Sequence, residues 1–137
     1  MDTTDWAGAR APELTDFERI AEAAYAELPA DFRRLTGEIE VRVADFPEED
    51  ALDDLGLESE FDLLGLFVGV GLAHGSAGGV TGQFPNRIWL YRRPILDYWA
   101  EHDETLGDII THVLVHEIGH HFGLSDDDME AIEDAEP

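Results

Sequence analysis

Cysteine is absent from this chain. That excludes disulfides, thiolate metal ligands and a cysteine nucleophile, so any bound metal must be held by imidazole and carboxylate. Lysine is absent too: the eight basic residues are all arginine, against 32 acidic residues, and the formal net charge is −24. A surface of that sign repels phosphate backbones, so nucleic acid is not an expected partner. The acidic excess reads first as a solvated shell, one version of which is adaptation to high internal salt. Attraction of basic peptides is the other reading. No long hydrophobic run is present either. The longest, around residues 63–73, is broken by Gly65, Gly69 and Gly71 and falls far short of the roughly 20 residues a spanning helix needs, so no membrane association is expected. The opening MDTTDWAGARAPEL has no basic region followed by an apolar stretch, and a cytoplasmic location is expected.

What is there suits one compact domain. The chain has 137 residues, 44% of them apolar, enough for a single core and too few for two domains flanking a deep cleft. Residues 1–12 read as a loose tail on a domain spanning 1–137, expected to be a monomer. Thr15 has Glu18 three residues on, the spacing of a capping box. Phe17, Ile20, Ala21, Ala24 and Leu28 then recur at helical period up to Pro29, and ADFRRL adds a short turn. EIEVRVADF alternates Ile39, Val41 and Val43 with Glu40 and Arg42, as a half-buried strand does. PEEDALDDLGL is an acidic turn or short helix. FDLLGLFVGVGLAHG is apolar on both faces and glycine-rich, which suits a buried strand with close backbone approach. SAGGVTGQFPN is a loop by composition. RIWLYR reads as a third strand, and Pro94 opens a short helix. Asp103 is placed to cap a longer helix over about 104–122.

That last helix carries the chemistry. THVLVHEIGHHFGLSDDDM puts four of the six histidines into ten positions and then runs into three aspartates. His116 and His120 are four apart, hence on one helix face with β-carbons roughly 5–6 Å apart. Their ring nitrogens can reach one ion at about 2.0–2.1 Å. Glu117, rotated by about 100°, lies near the ion without joining that pair, where a general base belongs. Gly123 can end the helix in a left-handed turn, after which Asp126 can swing a carboxylate under the ion as third ligand. Asp127 and Asp128 are its rivals if the turn is longer. His112 extends the histidine row, but three ligands from one straight helix are crowded, so it reads as a packed or supporting histidine. His121 points away from the row. Ile109, Ile110, Val113, Leu114 and Ile118 form the face that packs on the sheet.

At His116-Glu117-x-x-His120-x-x-Gly123-x-x-Asp126 the chain resembles the zincin metallopeptidases, and among them a group of very small bacterial zinc peptidases. LLGLFVGV, PNRIWLYRRPI and HVLVHEIGHHFGLSDDDM look like successive blocks of that group, so the resemblance covers roughly residues 60–130. It implies an α+β, minimal zincin-like fold: a small mixed sheet packed by helices, with a C-terminal HExxH helix. It implies Zn2+ held by His116, His120 and Asp126, and peptide hydrolysis with Glu117 as the base for metal-activated water. The same spacing resembles metzincins. Those carry a methionine turn well beyond the third ligand, whereas Met129 here reads as packing.

For the oxyanion of such a reaction the sequence offers Tyr91, Arg92, Arg93, Tyr98 and His74. An extended peptide or protein substrate would add along a sheet edge, either the strand with Ile88–Tyr91 or the glycine-rich run before it. Two other classes compete: a non-catalytic metal- or peptide-binding module of this fold, and an RNA-processing metallohydrolase. Glu117 and the net charge argue against the second.

Overall fold

The computed structural model describes residues 6–69 and 86–134. Gly71 and His74, singled out above, lie outside the described residues. Among the described residues six α-helices and a three-stranded sheet follow in the order α1 (Leu14–Ala26), α2 (Ala30–Thr36), β1 (Ile39–Ala44), α3 (Glu49–Leu55), β2 (Gly65–Val68), β3 (Asn86–Tyr91), α4 (Arg92–Glu101), α5 (Leu106–His121) and α6 (Asp126–Asp134). The sheet order is β1-β3-β2. β3 runs parallel to β1 and antiparallel to β2, so the sheet is mixed and the fold is α+β, consistent with a minimal zincin-like fold. None of the described helices is long and apolar enough to cross a membrane.

Local chemistry sets these boundaries, and it moves two expected caps. The capping box of α1 sits two residues earlier than Thr15: Asp16 accepts from the Glu13 backbone N–H at 2.8 Å. Helix α5 is capped by Thr105 rather than Asp103, because the Thr105 hydroxyl accepts from the Asp108 N–H at 3.1 Å. The segment ending at Thr36 forms a full short helix, and Pro94 lies in the first turn of α4, which begins at Arg92. The tail is tied down at Pro12, whose carbonyl accepts from Arg92 Nε at 2.7 Å.

The core forms where α5 lies on the sheet, with α1 packed against α5 and β1. Ile88 and Leu90 of β3 are fully buried, as are Ile110, Leu114, Val115 and Ile118 of α5 and Phe17 and Ala21 of α1. Strand β2 approaches α5 so closely that a Cβ on Gly65 would sit 2.6 Å from Val113 Cγ1. The glycine at this position is therefore required by contact, as the strand reading expected. Across β1 and β3, Glu40 and Arg87 are register partners and bond at 2.8 Å. Hydrogen bonds from Arg42 and Arg87 hold the Glu40 carboxyl below its ordinary pKa. Among the described strands β3 is central, so the strand of Ile88–Tyr91 offers no free edge. Among the described strands the edges are β1 and β2, and the glycine-rich run supplies the second of them.

Helix α5 ends at a reversal. Gly123 has φ +78°, and the Leu124 N–H donates to the Gly119 carbonyl at 2.9 Å. The chain then re-enters a helix at Ser125, whose hydroxyl accepts from the Asp128 N–H at 3.0 Å while the Asp128 carboxylate accepts from the Ser125 N–H at 3.2 Å. Helix α6 folds back on α5 through Met129, which is fully buried over Gly119; a Cβ there would meet Met129 Cγ at 2.8 Å. Met129 is thus a packing residue. Gly119→Ala is expected to destabilise the protein by about 1–3 kcal/mol through overpacking, read as a lowered urea midpoint with unchanged m-value.

Candidate metal centre

One face of α5 presents His112, His116 and His120 in a row, one turn apart. The rings of His112 and His116 stack with centroids 3.8 Å apart, while His116 and His120 meet edge-on at 5.7 Å. His116 is partly buried and His120 is exposed. Burial pulls the His116 pKa below its ordinary value, with the neighbouring His112 acting in the same direction, so a neutral imidazole is favoured there. Glu117 is partly buried, and desolvation pushes its carboxyl up to about 7. Asp126 opens α6 on the far side of the Gly123 turn, exposed, with no hydrogen bond among the described residues. Asp128 is exposed as well, but its carboxylate is engaged in the cap with Ser125. His121 is exposed and packs over Phe67 of β2 with ring centroids 4.4 Å apart.

The structure also brings in a residue the sequence reading missed. Glu133, near the end of α6, reaches back to the row: Oε2 lies 3.0 Å from His116 Nε2 and Oε1 lies 3.1 Å from His112 Nδ1. His112, expected as a packed or supporting histidine, is half exposed and shares the Glu133 carboxylate with His116. Ligand atoms of His112, His116 and Glu133 all lie within 4.8 Å of one another. A signal for Glu133 was present. It follows Asp126 by seven residues, two helical turns, so both acids share one face of α6, on either side of the buried Met129.

The surroundings narrow the other expectations. Tyr91 is the buried last residue of β3, and its hydroxyl carries no hydrogen bond among the described residues. Burial, with the charges of Glu48 and Glu117 behind it, pushes its pKa up to about 12, so it stays a phenol. Arg92 is bound to Pro12 and Asp45, Arg93 lies over the Phe46 ring, and Tyr98 stacks on His102. A cavity of about 140 Å³ opens beside the row, lined by Leu64, Tyr98, Glu104, Ile109, His112 and Val113. A larger one near Pro47 and Phe61 includes none of the row's residues.

Imidazole and carboxylate donors presented by two helices suit a zinc ion: His112, His116 and Glu133 bring ligand atoms within 4.8 Å of one another, whereas His116, His120 and Asp126 form no such group among the described residues. A small mixed sheet beneath a helix that carries HExxH, with its glutamate desolvated, defines the zincin class of metallopeptidases. The chain belongs to the zincin-like metallopeptidase family, whose model matches residues 36–135, from the end of α2 to just past α6. Curated proteins give no significant match.

Proposed function

We propose that the protein is a zinc endopeptidase in which His116, His120 and Asp126 hold the metal and Glu117 is the general base. The observation that carries this is the HExxH helix itself, with a partly buried Glu117 next to the histidine row; in the metal-free chain desolvation pushes its carboxyl up to about 7, towards the range in which a group both accepts and returns a proton. Zinc, when bound, supplies Lewis acidity towards water and the scissile carbonyl. Glu117 takes a proton from the attacking water and delivers it to the departing amine, so the carboxylate is regenerated each turnover. The capping role of Asp128 counts against it as third ligand; Asp126 and Asp127 are both exposed with side chains free of hydrogen bonds among the described residues, and the spacing after Gly123 favours Asp126.

An extended substrate adds along β2, the sheet edge packed against α5. The cavity beside His112 has apolar walls in Leu64, Ile109 and Val113 and room for a small apolar side chain. The charge environment of Tyr91 includes Glu117, and its phenol, without a hydrogen bond among the described residues, is our donor to the developing oxyanion. Tyr91→Phe is expected to lower kcat by about 10²-fold with zinc content unchanged.

The test is a peptide-library digestion read by mass spectrometry, with zinc-loaded native protein, the same protein after chelation, and Glu117→Gln. The reading requires new termini with the first sample alone. Equal product from all three, or none from any, would leave a binding module of zincin fold as the better description.

A further inference from the structure

Helix α6 folds back on α5 through the Gly123 turn and brings one of its acids, Glu133, onto the histidine row, where ligand atoms of His112, His116 and Glu133 lie within 4.8 Å of one another; His120 and Asp126 join no such group among the described residues. We propose that His112, His116 and Glu133 form a second divalent-cation position, overlapping the HExxH site through His116, so that one ion occupies one position or the other. The overlap, though not the position itself, rests on the assignment of His116, His120 and Asp126 above.

The three side chains are already gathered by hydrogen bonds at separations close to those of ligands around an ion. Both oxygens of one carboxylate are engaged by ring nitrogens of two histidines, at 3.0 and 3.1 Å. Zinc bonds of about 2.0–2.1 Å place neighbouring ligand atoms about 3 Å apart in octahedral and about 3.4 Å apart in tetrahedral coordination, so a cation can replace the shared protons with small shifts. Glu133 has no arginine partner: its ion pairs among the described residues are the two histidines. All three side chains have solvent access, which leaves an entry path. The acidic surface draws cations in. By contrast, His120 sits edge-on to His116, and the HExxH ligands are less converged than this trio.

An ion held by His112, His116 and Glu133 leaves His120 and Asp126 without a metal. That position is a resting or loading station, and transfer to the HExxH site needs His116 Nε2 to exchange Glu133 for the working geometry. The occupant is a borderline divalent cation of the zinc or cobalt kind, because two of three donors are imidazole.

Cobalt and zinc titrations, followed by calorimetry and by the visible absorption of bound cobalt, test this on the folded protein, with circular dichroism as the check on fold. Native protein should bind one ion. The variant His120→Ala/Asp126→Ala should still bind one cobalt, with an altered spectrum. Adding Glu133→Gln, or separately His112→Ala, should weaken that binding at least tenfold. If His120→Ala/Asp126→Ala binds no cobalt while native protein binds one, this proposal falls and the HExxH assignment stands. Two ions per native chain would overturn the overlap. If His120→Ala/Asp126→Ala binds like native protein and both lose the ion with Glu133→Gln, the proposal stands and the assignment of His120 and Asp126 falls.

Discussion

Glu117→Gln should lower peptide turnover by about 10²–10⁴-fold while leaving bound zinc unchanged. The amide keeps the volume and hydrogen-bonding reach of the carboxyl but cannot take a proton from water. His116 and His120, four residues apart on the same helix, keep their positions because α5 is fixed by its buried face and not by Glu117. The loss should fall on kcat, with KM little changed, since the proton transfer occurs in the chemical step. A variant that loses zinc along with activity would move Glu117 from the base to the metal-binding set.

The same substitution should stabilise the zinc-free protein at neutral and alkaline pH. Burial raises the Glu117 pKa from 4.5 to about 7 in the folded chain. Between those values the folded state holds a proton that the unfolded state has released, so stability falls as pH rises. The favourable contribution is complete below about pH 4.5 and is lost as pH passes 7. Beyond that, the fold carries a desolvated carboxylate. A shift of about two and a half units corresponds to roughly 3 kcal/mol, so Glu117→Gln should be more stable than the chelated native protein by about 2–3 kcal/mol at pH 8 and nearly equal to it at pH 4. Urea unfolding of the two proteins at both pH values gives the difference directly, and the other titrating groups cancel in the comparison. Equal midpoints at pH 8 would mean that the Glu117 carboxylate is well solvated. Opposite effects on turnover and stability are what a desolvated catalytic carboxyl should produce.

The elements with a strong period were legible before any coordinates. The alternation of Ile39, Val41 and Val43, the buried pair Ile88 and Leu90, and the apolar face of α5 all occur as read, since period and burial are both written in the residue order. The caps were less legible. Thr15 and Asp103 are good capping residues, but Glu13 and Thr105 are the ones whose backbone enters the helix, and several polar residues crowd each start. Strand order was not legible either: RIWLYR is central because β1 returns parallel to it, a long-range pairing that composition does not encode. At the site, HExxH and the Gly123 turn are local signals and were read directly. Glu133 was missed because its partners lie 17 and 21 residues away, and only the reversal after α5 brings them together.

Whether this histidine row holds zinc is decided by elemental mass spectrometry of the purified protein, beside His116→Ala and Asp126→Ala. About one zinc per native chain is expected, with loss in His116→Ala, which removes a ligand of both positions, and weakened but retained zinc in Asp126→Ala, where His112, His116 and Glu133 remain. No zinc in native protein after incubation with the metal would contradict the zinc assignment, and the row would then be a histidine-rich helix face held together by Glu133.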